Sequence, residues 1–371
     1  MVGSRWFRRA GPGIAALGAI ALIASTTLGA PGRSWAPVPC GGVARVGVPS
    51  TGTWYRLDPV LQAGARAGQR LALGHPGSRD TRAVELDSES FAAGPFSGTV
   101  LVGSDDGTHS RLSLIDVARG CAWSVGGSDD VVRTATLAPD GATLYEFRVD
   151  RRTRADLGVW RRPLDGSTPA ALFVPAIEPD DRFGRTWMTD LGWTEDGRSL
   201  AVQSCGEVAC RVRIVDPATG RVRLVAEPTL GDLVGISGDR LIAHGACRGL
   251  PCPLLSIDLA GGSTTVLDEH AGQAVLSRNA DGRAVVVHEV GATGDVLRMI
   301  GLDGSDPQVV AGDRDGRRLV AGAPRAASAA EHQPDWILFA TDGRLPIDGS
   351  QRPILRRVPD GRTVPLDEVS R

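Results

Sequence analysis

The stretch Leu191 to Glu227, LGWTEDGRSLAVQSCGEVACRVRIVDPATGRVRLVAE, holds four short apolar or alternating runs separated by three turns. The first turn is Thr194-Glu195-Asp196-Gly197 and the third is Asp216-Pro217-Ala218-Thr219-Gly220. Glycine enters the positive-φ region a tight hairpin demands, and aspartate caps nearby backbone N–H groups. The second turn is closed by Cys205 and Cys210. Short strands bounded by such turns fold as an antiparallel sheet of four strands.

The unit recurs along the chain. An apolar run ending in aspartate appears at Asp58, Asp116, Asp165, Asp216, Asp258, Asp303 and Asp360, at separations of 58, 49, 51, 42, 45 and 57 residues. The first turn recurs as Pro139-Asp140-Gly141, Ser237-Gly238-Asp239, Ala280-Asp281-Gly282 and Arg314-Asp315-Gly316. A period of ~40–50 residues with four strands per unit belongs to propeller blades. The expected fold is therefore all-β, a β-propeller of four-stranded antiparallel blades. Seven Asp turns give seven blades, with six as the alternative. Both ends are less regular: Trp54 to Leu73 has a weak inner strand, and Pro324 to Glu331 reads as a helical or disordered insertion.

Within the best unit the strands alternate. Val212 and Ile214 point one way and Arg211 and Arg213 the other; Val222 and Leu224 oppose Arg221 and Arg223. The period of two predicts that these arginines form a solvated face. Leu200-Ala201-Val202 and Ala284 to Val287 are apolar throughout, as inner strands are.

Composition bounds the function. Of 371 residues, 42% are hydrophobic, enough for a sizeable core, and the net charge of −2 provides no global field for nucleic acid. Every basic residue besides histidine is arginine, so Schiff-base and P-loop lysine chemistry are excluded. Residues 1–30 carry Arg5, Arg8 and Arg9, an apolar run from Ile14 to Ile23, and small residues at Thr27 to Ala30. They read as a signal peptide or an N-terminal membrane anchor. Residues 31–45 read as a linker and 46–371 as the propeller. Six cysteines agree with export. Cys205/Cys210 and Cys247/Cys252 share a C-x4-C spacing at the same place in the repeat, which facing strands can bridge. Two local disulfides are expected there, with Cys40–Cys121 as a longer third; metal binding is the alternative.

The Asp196-Gly197-Arg198-Ser199-Leu200 turn and the Asp216-Pro217-Ala218-Thr219-Gly220 turn resemble the WD40-like repeats of TolB-type proteins, best over residues 95–312. The resemblance implies an exported bacterial propeller. Some members of that broad family are binding platforms in the envelope, and others are the non-catalytic domain of a larger enzyme. No hydrolase domain is expected after the last blade.

Catalytic signatures are not found. Gly235-Ile236-Ser237-Gly238 is the nearest approach to a nucleophile elbow and sits in a blade turn. His75, His109, His244, His270, His288 and His332 form no paired-ligand spacing. Ser104 to Thr108 resembles a short calcium loop without the downstream glutamate, and reads as a solvated hairpin turn. No cofactor or metal is implied.

Blade geometry supplies the functional expectation. The first-to-second and third-to-fourth turns share one face of the disc and are short and stereotyped. The second-to-third turns and the connections between blades share the other face and are irregular, and irregular loops on a rigid scaffold carry binding residues. This face holds Arg151 and Arg152 and the connection from Ile177 to Trp193 with Asp180, Asp181, Arg182, Arg185 and Trp187. Trp and Arg dominate interface hot spots. The expected function is a non-catalytic extracytoplasmic binding or scaffolding propeller of the bacterial envelope. Its partner would be another envelope protein or an extracellular ligand, with no nucleic acid and with membrane only through an uncleaved N-terminus. A propeller enzyme of lactonase or lyase type, or an anchored sensor domain, are the alternatives.

Overall fold

The structure is a computed structural model. It describes residues 36–42, 44, 54–62, 65–74, 82–86, 90–96, 98–177, 188–194, 197–206, 210–245, 251–260, 262–279, 282–291, 294–312, 319–320, 336–341, 352–357 and 363–365. The expected signal or anchor lies outside them. Among the described residues the chain is all β, in five sheets of five, four, ten, three and four strands that are antiparallel except where Val38–Pro39 joins Cys121–Ser128.

The strands follow the chain. β2 (Trp54–Gln62), β3 (Ala65–Gly74) and β4 (Arg82–Leu86) form the first set. β5 (Phe91–Phe96), β6 (Thr99–Asp105), β7 (Ser110–Asp116) and β8 (Cys121–Ser128) form the second. β9 (Val131–Leu137), β10 (Thr143–Val149), β11 (Asp156–Pro163) and β12 (Ala171–Val174) form the third. A ten-stranded sheet follows: β13 (Met188–Trp193), β14 (Leu200–Cys205), β15 (Cys210–Val215), β16 (Val222–Ser237), β17 (Arg240–Gly245), β18 (Cys252–Asp258), β19 (Thr264–Asn279), β20 (Gly282–Gly291), β21 (Gly294–Gly301) and β22 (Gln308–Gly312). β16 and β19, each 16 residues, close one set and open the next, with register shifts where they change partner. β23 (Leu319–Val320), β24 (Trp336–Thr341), β25 (Arg352–Arg357) and β26 (Thr363–Pro365) form the last set.

β1 (Val38–Pro39) lies inside the expected linker, yet it pairs parallel with β8, Val38 opposite Cys121. The Cys40–Cys121 bridge is formed across 81 residues, and Cys205–Cys210 closes the β14–β15 hairpin. Cys252 is also disulfide-bonded, and Cys247, its expected partner, lies outside the described residues.

Among the described residues the turn chemistry follows the sequence expectation with one exception; Asp196, Asp281, Asp315 and Asp360 lie outside them. Asp216 accepts the Ala218 N–H at 2.8 Å and the Thr219 hydroxyl at 2.8 Å. Asp140, Asp165, Asp258 and Asp303 each accept the N–H two residues on, at 2.7–2.9 Å. Gly141 and Gly220 sit at φ +65° and +70°, where a side chain would be strained. The exception is Asp58, which lies inside β2 opposite Arg70. Asp58-Pro59-Val60-Leu61 has no glycine to reverse the chain, so the strand continues.

The core lies between successive sets. Leu144 of β10 joins Leu101, Leu112, Leu114, Trp123 and Val125 of the second set, while the adjacent Tyr145 joins Val159, Val174, Leu200 and Val202 against the fourth. Tyr145 meets Phe173 and Trp193 edge-on at 5.2 and 5.3 Å, so Trp193 is a packing aromatic between sets. Both faces of an inner strand are thus covered, and β14 is buried at every position. This corrects the solvated-arginine expectation at Arg213 alone, which is only 8% exposed because its face lies between the third and fourth sets; Arg221 and Arg223 are exposed as expected. On the outer part of this set Val222 and Leu224 are exposed as well.

Candidate functional site

Hydrogen bonds between loops confirm which turns share an end. Leu164 N–H donates to the Ala142 carbonyl at 2.7 Å and Leu259 N–H to the Asp239 carbonyl at 2.7 Å, joining short turns to short turns. At the opposite end the β6–β7, β8–β9 and β10–β11 loops meet. Arg151 of the β10–β11 loop forks onto Asp105 at the end of β6, both bonds 2.8 Å, and its Nε–H donates to the Asp129 carbonyl at 2.8 Å.

This ion pair is partly buried, with side chains 22% and 9% exposed. Asp105 also accepts the Ser110 hydroxyl and the Gly107 N–H. The Arg151 guanidinium, ahead of these, holds its carboxyl well below the usual carboxylate range. Asp106 beside it caps the loop, accepting from the Thr108 hydroxyl and from Thr108 and His109 N–H, and its pKa falls to about 2. Ser104 to Thr108 is therefore half as expected: Asp106 forms a solvated turn, while Asp105 is drawn into the gap between sets. His109 Nδ1 lies 3.0 Å from Asp129 and completes the rim.

Deeper in the same gap lies a buried charge group. Glu146 of β10 is fully buried and accepts Arg148 Nε–H and Nη2–H at 3.0 and 2.7 Å on one oxygen. Its other oxygen takes Arg162 Nε–H of β11 at 2.6 Å. The Arg148 guanidinium lies 4.7 Å from the Trp160 ring centroid. Gly126 of β8 faces Arg162, whose Nη2 would stand 2.1 Å from an added Cβ, so only glycine leaves room for the guanidinium.

The β10–β11 loop is held in shape by its own hydrogen bonds. Asp150 accepts from Arg152 N–H at 3.0 Å, Thr153 N–H at 2.6 Å and the Thr153 hydroxyl at 2.7 Å. Arg154 N–H donates to the Asp150 carbonyl at 2.8 Å, and Arg154 holds φ +59°, a conformation non-glycine residues adopt only when their surroundings impose it. Arg152 and Arg154 are exposed. Of the two expected binding arginines, Arg151 thus anchors the loop and Arg152 stands on it. Asp180, Asp181, Arg182, Arg185 and Trp187 lie outside the described residues. The Asp105–Arg151 pair carried no sequence signal, since 46 residues separate its members. Among the described residues, no three His, Cys, Asp or Glu side chains are grouped to hold a metal ion.

No family model and no curated protein matches this chain by sequence. Solved structures do match. The β-propeller domain of the Trilobed protease from Pyrococcus furiosus aligns with 84% of this chain and 98% of its own, at TM-score 0.54 and 12% identity. The fold is a β-propeller. Oligopeptidase B from Leishmania major matches at TM-score 0.53 and 11% identity, over 84% of this chain and 48% of that one. TolB from Acinetobacter baumannii matches at TM-score 0.48 and 14% identity, over 71% of this chain and 66% of that one. This propeller therefore spans about half the length of the peptidase and two thirds of TolB.

Proposed function

We propose that this chain is a non-catalytic, extracytoplasmic binding propeller of seven blades, whose partner, another envelope protein or an extracellular ligand, docks on the irregular face. The observation that carries the reading is the contrast between the two faces. On the short-turn face, Asp116, Asp140, Asp165, Asp216, Asp258 and Asp303 cap their own turns. On the other face the β10–β11 loop is fixed from beneath by Arg151 and within by Asp150, and it presents Arg152 and Arg154 outward. A preformed loop with exposed guanidiniums binds with little backbone ordering cost. Disulfides, which persist in oxidising compartments, support a place outside the cytoplasm. Asp180, Asp181, Arg182, Arg185 and Trp187 belong to the same proposed face.

A pull-down from envelope extracts tests this. Arg152→Ala/Arg154→Ala and Asp181→Ala/Arg182→Ala/Trp187→Ala should each reduce a specifically retained partner by about tenfold or more, as loss of hot-spot side chains does. Thr219→Ala/Arg221→Ala, on the short-turn face, should retain it as the wild type does. Equal retention by all variants would refute this choice of face.

A further inference from the structure

We propose that β1 is a strap held on the edge of β8 by the Cys40–Cys121 bond, and that a dithiol reductant releases it. The backbone hold is small, and Cys40 and Ala44 add only partial packing on the core of the second set. β1 contributes two register pairs, and Cys40 N–H donates to the Ala122 carbonyl at 2.9 Å. Pro37 and Pro39 have no N–H to give, and Val38 is 61% exposed. Each backbone hydrogen bond contributes about 0.5–1.5 kcal/mol net. Fixing each strap residue costs about 1–2 kcal/mol of backbone entropy. A few such bonds do not offset the ordering of residues 36–42, so the covalent bond decides where the strap lies.

Release also changes what the strap covers. Pro39, Cys40, Gly42 and Ala44 form one wall of a cavity of about 340 Å³, opposite Trp123 and Leu164. Trp123 Nε1–H has no protein acceptor while the strap is in place. Removing the strap unpairs the outer backbone groups of β8 at Cys121 and Ala122, and so lengthens an edge that accepts an extended segment. The chemistry balances: the disulfide takes two electrons and two protons to become two thiols, and the dithiol becomes its own disulfide.

The test is hydrogen exchange on Cys205→Ser/Cys210→Ser/Cys247→Ser/Cys252→Ser, where Cys40–Cys121 is the only bond dithiothreitol can reduce. Reduction should raise exchange at residues 36–44 and in β8 by about tenfold or more. The red shift in tryptophan emission should be absent from the Trp123→Phe derivative, and β9 to β12 should stay protected. Should the quadruple variant fail to fold, Cys40→Ser/Cys121→Ser, which lacks this bond alone, should show the same rise in exchange without reductant. A strap that remains protected after reduction overturns the proposal. So does loss of protection spreading through β9 to β12, which would make the bond a staple of the whole fold.

Discussion

Replacing Glu146 by alanine should destabilise the propeller by about 3–5 kcal/mol, as removal of one member of a buried ion group does. Glu146 is fully buried, and the arginine side chains that share it are 9% and 13% exposed. Without the carboxylate, two guanidiniums stay in the gap between the second and third sets with no counter-charge. Water reaches them poorly. Against a domain stability of about 5–15 kcal/mol, such a loss leaves a large unfolded fraction at modest urea. Glu146→Gln should fall between, keeping an acceptor and losing the charge. Glu146→Leu/Arg148→Met/Arg162→Leu should cost far less than Glu146→Ala, since apolar groups that fill the same volume carry no desolvation penalty. Urea midpoints decide it: a Glu146→Ala cost under about 1 kcal/mol would mean the two arginines find other acceptors or water.

Arg151→Ala should cost about 2–3 kcal/mol, less than Glu146→Ala because the pair is nearer water. Its effect has a pH signature. In the folded protein the Asp105 carboxyl is held below the carboxylate range, chiefly by Arg151. A depressed folded-state pKa stabilises the fold above the unfolded carboxylate value of about 4, and that stabilisation is lost as pH falls through the folded value. Wild type and Arg151→Ala should therefore differ most near neutral pH and converge in acid. A gap that stays constant from neutral pH down to about pH 2 would show that Arg151 acts by packing alone. The same substitution removes the anchor beneath Arg152, so partner binding should fall with it.

The repeat was legible because its signals are local. Asp216 and Gly220 lie four positions apart and make the turn themselves, as do Asp116 with Gly120 and Asp258 with Gly262, while at Asp165 and Asp303 the glycine follows directly. Asp58 misled for the complementary reason: the aspartate is there and the glycine is not. Arg213 was misread because strand alternation separates two faces without saying which is wet. In a propeller the neighbouring set covers both faces of an inner strand, and Arg213 must find the Pro175 carbonyl at 2.7 Å rather than solvent. Nothing in Thr143 to Val149 marks Glu146 as a shared counter-ion, since its second partner, Arg162, comes from the next strand. β1 was hidden inside a proline-rich linker, and its place followed only from a cysteine 81 residues away.

Site-specific photo-crosslinking in producing cells tests the choice of face most directly. A photoreactive side chain at Arg152 stands on the irregular face, and one at Thr219 stands on the short-turn face; both positions are exposed. The binding reading predicts a discrete adduct from position 152 that Arg151→Ala weakens, and none from position 219. An adduct from position 219 alone, or equal adducts from both, would contradict it.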